Sequence, residues 1–215
     1  TLDPELACLV RTELDEHGVD VHTRTLVAGV EKSANGLVVT GTRDGQPVTH
    51  TADLVLAVVG VRPNTALLET AGATLGAGRA VVVDEQMRTG LPHVFAAGDG
   101  VITHHRLLGT TYLPLGTTSH KQGRVAGENA AGGAARFAGS VGTQVVKIFD
   151  LVAARTGLRD QDAEAAGHSP ATVQAVADDH KRYYPGAQPI SFCITGDTTT
   201  GRLLGAQLVG RQIGR

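Results

Sequence analysis

The sequence contains no tryptophan, one methionine and two cysteines, and aromatic residues make up only 3% of it. Cys8 and Cys193 lie far apart and form no CxxC pair, which favours free thiols in a reducing compartment over a disulfide framework. No signal peptide opens the sequence, and no apolar run reaches transmembrane length. We therefore expect a soluble, cytoplasmic protein.

Strong charge and metal motifs are also missing. The formal net charge of -2 gives no electrostatic reason to expect nucleic acid or a membrane surface as a partner. His104 and His105 are adjacent and cannot easily converge on one ion, and no HExxH motif is present, so no metal site is expected. What the sequence does have is 28 glycines, which suit tight turns and close backbone approaches rather than a helical bundle.

The most informative stretch is Thr89-Gly-Leu-Pro-His-Val-Phe-Ala-Ala-Gly-Asp99. It predicts a short buried strand that ends at Gly98 and places Asp99 at its carboxyl end, where open α/β sheets bind ligands. The glycine lets a ligand approach the backbone, and the carboxylate accepts hydrogen bonds from sugar or ribityl hydroxyls. A plain strand followed by an Asp99-Gly100 turn explains the pattern equally well.

Before this stretch, the spacing of apolar residues predicts a helix over residues 3–17 and a strand over 19–22. Antiparallel strands are predicted over residues 26–31, 37–42 and 48–51, joined by Asn35-Gly36 and Asp44-Gly45 turns. Residues 53–59 form a continuous apolar run, typical of a strand buried on both faces, and this run ends at Gly60. That glycine could seat a cofactor backbone or simply make the turn.

After it, we predict a short helix over residues 65–71, a strand over 80–83 and a longer helix that ends near residue 131. Thr117 or Thr118 is a natural N-cap for the longer helix. The positive N-terminal end of that helix would stabilise an anion. A plainly capped helix is the alternative.

A domain boundary is predicted near Ser140. Beyond it, strands over residues 142–150, 172–177, 189–195 and 203–209 and a helix over 160–166 fit an antiparallel sheet with helices on one face. Tyr183 and Tyr184 are the candidates for chemistry here, because a phenol can donate a hydrogen bond to a developing thiolate. An aromatic pair that packs at a dimer interface is an equally good interpretation. Cys193 is interpreted as core or interface filler.

Residues 89–99 resemble the second FAD fingerprint of the pyridine nucleotide-disulfide oxidoreductases, flavoproteins with two dinucleotide-binding domains. The run Pro114-Leu-Gly-Thr-Thr-Ser-His-Lys-Gln-Gly-Arg124 resembles the family's flavin-facing helix, although members often have Ala-Asn where this chain has Ser119-His120. Tyr183-Tyr-Pro-Gly and residues 201–210 are similar to the dimerisation domain of the coenzyme A-disulfide reductase and NADH oxidase branch. The resemblance implies a mixed fold class, α/β with Rossmann-like FAD and NAD(P) domains followed by an α+β domain.

On this resemblance, residues 1–60 are the second half of an NAD(P)H domain, 61–139 the C-terminal segment of an FAD domain and 140–215 a truncated dimerisation domain. It implies FAD and NAD(P)H as cofactors, a homodimer and a small thiol or disulfide substrate. Asp99 would bind the ribityl chain, and Tyr183 or Tyr184 would approach the active cysteine of a partner subunit. The implied cofactor-binding residues are Thr89, Ala97, Gly98, Asp99, Leu115, Gly116, Thr117, Thr118 and, on the nicotinamide side, Gly60.

Three features of the family are not found in the sequence. No GxGxxG opens a strand–turn–helix unit for either cofactor, and no redox cysteine stands in a flavin-facing motif. Thr1 is also not an initiator residue, so we expect a piece of a longer polypeptide that corresponds to the C-terminal half of a family member. The intact enzyme would pass hydride from NAD(P)H through FAD to a disulfide or persulfide acceptor, while this chain alone is expected to be inactive. The alternatives are an NADH oxidase that reduces oxygen and a non-catalytic dimerisation fragment.

Overall fold

A computed structural model describes residues 2–211, which fall into two compact units. The smaller unit comprises Leu14–Gly60, and the larger one contains the rest of the described chain. The boundaries predicted at residues 60 and 139 remain predictions.

Helix α1 (Pro4–Glu16) is followed by a three-stranded antiparallel ribbon, β1 (Thr25–Ser33), β2 (Gly36–Arg43) and β3 (Gln46–Ala52). The helix and these three strands confirm the sequence prediction. The second turn is Asp44-Gly45 as predicted, with both residues at positive φ, the geometry that suits a two-residue hairpin loop. The first turn lies one residue earlier than predicted, at residues 34–35, and Gly36 pairs with Ser33.

Two predicted strands of the smaller unit do not form. Residues 19–22 and 53–59 carry no strand hydrogen-bonding pattern, and Val58 and Val59 are 87% and 95% exposed. A parallel strand exists only through hydrogen bonds to its neighbours, and in the described part of the chain no strand lies beside residues 53–59. The apolar run therefore stays uncovered, and Gly60 ends it at φ +102°, where an added β-carbon would meet nothing within 4 Å.

The segment that carries the fingerprint has little regular structure. It contains α2 (Ala66–Thr70), the short hairpin β4 (Thr103–His105) and β5 (Gly109–Thr111), and the long helix α3 (Gly116–Ala130). The strand predicted over residues 80–83 is reduced to single bridges from Val81 to Leu75 and Val101. The strand predicted within residues 89–99 is also wrong, because a turn at residues 92–93 leaves only one bridge, between Arg88 and Phe95.

The rest of the larger unit is a five-stranded antiparallel sheet with the order β6-β7-β10-β9-β8. Its elements are β6 (Gln144–Ile148), β7 (Leu151–Gly157), α4 (Asp160–Ala165), β8 (Pro170–Asp178), β9 (Pro189–Asp197) and β10 (Leu203–Gly210). The antiparallel sheet is confirmed, but strand β7 is missing from the sequence prediction. The chain reverses at Phe149-Asp150, where Phe149 adopts a positive φ that its side chain does not signal.

Helix α1 packs its Leu6 into the core of this sheet. The buried residues of that core are Leu6, Leu151, Ala153, Cys193 and Val209. Polar contacts join both ends of the helix to the sheet. The backbone N–H of Asp3 donates to the Gln207 side chain at 2.7 Å, and the buried Glu13 accepts from Asp150 N at 3.0 Å. The interpretation of Cys193 as core filler is therefore confirmed.

Candidate functional site

The site begins with Thr89, whose side chain fixes the turn that replaces the predicted strand. Its hydroxyl donates to the Val94 carbonyl at 2.9 Å and accepts from Leu91 N at 3.1 Å. Because a hydroxyl can both donate and accept a hydrogen bond, the side chain of this one threonine stabilises the turn from two sides. From this turn the chain runs half-buried through Ala97 to Gly98.

Gly98 opens a single 3-10 turn, Gly98–Gly100, at the end of the fingerprint. It adopts φ +85°, and its N–H donates to Oε1 of Gln122 on α3 at 3.0 Å. Gln122 is 1% exposed, and its Nε2 donates to Thr103 Oγ1 at 3.2 Å. A buried amide that donates and accepts in this way fixes the distance between the fingerprint and the helix.

Asp99 follows with an exposed carboxylate that points to the start of α3. Its Oδ1 accepts a hydrogen bond of 2.7 Å from Ser119 Oγ, and its backbone carbonyl accepts one of 3.1 Å from the Tyr112 hydroxyl. Burial, and then the nearby Asp99 carboxylate, raise the pKa of Tyr112, because both disfavour a phenolate. Tyr112 therefore remains a hydrogen-bond donor at neutral pH.

The N-terminal end of α3 lies in the same place, and no side chain caps it. Its N-cap is Leu115, so the prediction of Thr117 or Thr118 as the cap is wrong. The Leu115 carbonyl accepts from Thr118 N at 2.9 Å and from Ser119 N at 2.8 Å, which starts the helix without a side-chain oxygen. Gly116 and Thr117 are exposed, so the positive end of the helix stays accessible to an anion.

The predicted residues thus divide into three places. Gly98, Asp99 and the first turn of α3 lie together, whereas Gly60 belongs to the smaller unit. Tyr183 and Tyr184 are exposed in the β8–β9 loop, where their ring centroids are 4.7 Å apart. The Lys181 ammonium lies 5.7 Å from the Tyr183 ring centroid, a weak cation–π contact at an exposed position.

Sequence reasoning missed three residues of the site, Ser119, Gln122 and Tyr112. Ser119 stands where the sequence departs from the family pattern, which gave no signal that it would contact Asp99. Gln122 could have been found, because it lies one helical turn from Thr118 and both are buried on one face of α3.

The donor set fits part of a flavin dinucleotide. An exposed carboxylate accepts hydrogen bonds from the hydroxyls of a ribityl chain, and an uncapped helix end stabilises negative charge on a flavin ring. A glycine at the turn leaves the backbone open to a close approach, because no side chain stands there. Within residues 2–211 no glycine-rich loop is available for the pyrophosphate, so the fit covers only the ribityl and ring side.

A glycine turn of this kind beside the open end of a helix is typical of dinucleotide-binding sites. The model of the family "pyridine nucleotide-disulphide oxidoreductase" matches residues 1–123, and the chain belongs to this family. The predicted membership and the mixed α/β fold class are both confirmed.

Three similar proteins illustrate the relationship. The NAD(P)H sulfur oxidoreductase (CoA-dependent) of Pyrococcus furiosus is 34% identical over 215 residues, which are 99% of this chain and 47% of that protein. The NAD-dependent persulfide reductase from A. fulgidus is 38% identical with a TM-score of 0.91, over 98% of this chain and 39% of that one. The water-forming NADH oxidase from Lactobacillus brevis is 26% identical with a TM-score of 0.89, over 98% and 46% of the two chains.

The chain spans about half the length of the curated relatives that it matches. Among the helices of residues 2–211, none combines the length and the apolar character that crossing a bilayer requires.

Proposed function

We propose that this chain supplies the ribityl-binding segment and the dimerisation sheet of an FAD- and NAD(P)H-dependent oxidoreductase. Its acceptor would be a disulfide or persulfide, as in a coenzyme A-disulfide reductase. The observation that carries the proposal is the 2.7 Å contact between Ser119 and Asp99, because it joins the fingerprint to the open end of α3. Family membership and the named activities of the relatives support it.

Each part of the site has a role in this proposal. Asp99 would accept hydrogen bonds from the ribityl hydroxyls, while Thr89, Ala97 and Gly98 hold the backbone in position. Leu115, Gly116, Thr117 and Thr118 would present the helix end to the flavin ring. Gly60 would lie on the nicotinamide side, and Tyr183 or Tyr184 would donate to a thiolate in a partner subunit of a homodimer.

The chemistry that FAD supplies when bound is two-electron transfer between a nicotinamide and the acceptor. The residues of this chain contribute position and charge. The Gly98–Gln122 and Asp99–Ser119 contacts hold the carboxylate beside α3, so little reorganisation is needed when charge develops near the helix end. Gln122 is 1% exposed, so water does not compete for the hydrogen bonds of its amide.

The test compares Asp99→Asn and Asp99→Ala in the protein as it is expressed from its gene. Visible flavin absorbance after gel filtration gives the FAD content, and quenching of flavin fluorescence gives the dissociation constant. We expect Asp99→Asn to weaken FAD binding by roughly 10- to 100-fold, since a hydrogen bond to a charged group is worth about 1.5–3 kcal/mol. Asp44→Asn, at an exposed turn in the smaller unit, is the matched control and should bind FAD normally.

The same preparation separates the alternatives. NADH consumption with coenzyme A disulfide, with a persulfide or with oxygen as the only acceptor identifies the substrate class. An FAD content that is unaffected by Asp99→Ala contradicts the assigned role. A colourless protein that is inert with NADH supports a non-catalytic dimerisation fragment instead.

A further inference from the structure

Ser140 connects α3 to the β4–β5 hairpin at the point where the chain enters the five-stranded sheet. Its Oγ shares a 3.1 Å hydrogen bond with Thr118 Oγ1 in the first turn of α3 and accepts another of 3.1 Å from Gly142 N. Its backbone bonds to the hairpin on both sides, with N donating to the His104 carbonyl at 3.0 Å and O accepting from Arg106 N at 2.9 Å. Thr118 is only 3% exposed, so its hydroxyl depends on this partner.

His105 connects the same hairpin to the sheet through its imidazole ring, which is 4% exposed. Nδ1 accepts from Leu107 N at 3.3 Å and from Leu108 N at 3.2 Å. The Nε2 side of the ring faces Gly142, where an added β-carbon would lie 3.7 Å from Nε2, and the neighbouring Val141 carbonyl accepts from Gly157 N at the end of β7 at 2.8 Å. The two bonds accepted by Nδ1 require neutral imidazole with its proton on Nε2, a tautomer assigned from these partners.

We propose that Ser140 and His105 are positioning residues that hold the first turn of α3 at a fixed place relative to the five-stranded sheet. Ser140 holds the helix to the hairpin, and the His105 ring packs the hairpin against the Val141–Gly142 segment, whose Val141 carbonyl bonds to the end of β7. The helix end beside Asp99 is therefore set by the sheet and not by α3 alone. The consequence for flavin binding rests on the proposed function, whereas the contacts of Ser140 and His105 that position α3 do not.

The connection is sensitive to pH. Burial lowers the pKa of His105 below its ordinary value of 6.5, and the positive charges of Arg155 on β7 and of neighbouring His104 act in the same direction. The Val141 carbonyl acts in the opposite direction and is outweighed. Protonation would place a hydrogen on Nδ1 against the two N–H groups of Leu107 and Leu108. The connection is thus intact above pH 6.5 and is lost as the pH falls through the lowered pKa.

The first experiment measures amide hydrogen exchange by NMR in the flavin-free chain. We expect Thr118→Val and Ser140→Ala each to raise exchange at the Thr118 and Ser119 amides by about fivefold, the effect of one hydrogen bond of about average strength. The double variant should exchange no faster than either single variant, because both remove the same bond. Thr117→Val is the control. It makes the same change of side chain at the neighbouring position, where the threonine is exposed. Unchanged exchange, or additive effects, would overturn the proposal.

The second experiment concerns His105. Across the titration of its ring, the amide shifts of Ser119 and Gly157 should follow the same midpoint below pH 6.5. His105→Gln, an amide that accepts and donates but does not titrate, should remove this response. If the amide shifts of Ser119 and Gly157 in the unaltered chain do not change while the His105 ring titrates, the proposal is contradicted. This test holds even if His105→Gln does not fold. Flavin is absent from both experiments, so they can fail while the proposed function stands, and the reverse is equally possible.

Discussion

Ser119 donates a 2.7 Å hydrogen bond to the carboxylate of Asp99, twenty residues earlier in the chain. The contact spans the β4–β5 hairpin, so it forms only when the fingerprint and α3 are both in place. It orients one carboxylate oxygen towards the helix, and the exposure of Asp99 leaves the group able to accept further hydrogen bonds. A ligand with several hydroxyls would find this acceptor already oriented.

Replacing Ser119 by alanine should therefore weaken FAD binding without unfolding the chain. Because Asp99 is exposed, solvent reduces the worth of this hydrogen bond to about 0.5–1.5 kcal/mol, which corresponds to a roughly 2- to 12-fold rise in the dissociation constant. Flavin fluorescence titration measures it. Thr199→Ala, in the exposed β9–β10 turn, is the control and should leave the dissociation constant unchanged. Equal affinity of Ser119→Ala and the parent would show that Asp99 needs no such orientation.

Gly98 should tolerate a side chain poorly because of its backbone conformation. At φ +85° an L-residue is strained, although an added β-carbon would lie at an ordinary 3.6 Å from the Ser119 side chain. We expect Gly98→Ala to lower the free energy of unfolding by about 1–2 kcal/mol, as measured in urea. Gly100→Ala is a matched control two residues away, because its φ is not positive and nothing lies within 4 Å of an added β-carbon. Similar losses for both variants would argue against a conformational cause.

These residues show which parts of the site can be predicted from the sequence and which cannot. The proximity of Asp99 and α3 could be expected from the resemblance of residues 89–99 and 114–124 to two motifs that meet at one site in the family. The turn closed by Thr89 could not, since an apolar run next to a threonine is also typical of a strand. Helix α3 also starts earlier than the sequence predicts, at Gly116 after the N-cap Leu115. Threonine is a good N-cap residue in general. Here the Leu115 carbonyl accepts the first hydrogen bonds of the helix, and the Thr118 hydroxyl bonds to Ser140 instead.

Long-range pairing explains the other differences. Residues 53–59 are as apolar as any buried strand, but a strand needs neighbours that the periodicity of one segment does not reveal. Strand β7 follows a reversal at Phe149-Asp150, where the positive φ falls on Phe149, a residue type that does not signal it, and Asp150 alone is typical of turns. The contacts of α1 with the sheet join residues far apart in the chain, 204 positions in the Asp3–Gln207 hydrogen bond and 137 in the Glu13–Asp150 one. No local pattern reports such a pairing.

Glu13 should contribute to the docking of α1 on the sheet. It is 3% exposed, and its carboxylate accepts from Asp150 N at 3.0 Å and from Arg211 at 3.1 Å. Arg211 is 44% exposed, so solvent weakens the ion pair, and Glu13→Gln should cost about 1 kcal/mol of unfolding free energy. Denaturant unfolding measures this loss. Glu5→Gln, an exposed change on the same helix, should cost less than about 0.5 kcal/mol. If Glu5→Gln lowers the free energy of unfolding by as much, the cause is the charge on the helix and not the docking of α1 on the sheet.

The two cysteines should differ in reactivity because the fold places them in opposite environments. Cys8 is exposed on α1, whereas Cys193 is 1% exposed in the core of the five-stranded sheet. Burial raises the pKa of Cys193, and the carboxylates of Asp3, Glu5 and Asp160 raise it further, so its reactive thiolate is scarce at neutral pH. We expect one thiol to react quickly with a disulfide reagent and the second only as fast as the chain unfolds. Cys8→Ser should abolish the fast phase alone. A fast phase that survives in Cys8→Ser would mean that the core around Cys193 opens in the native state.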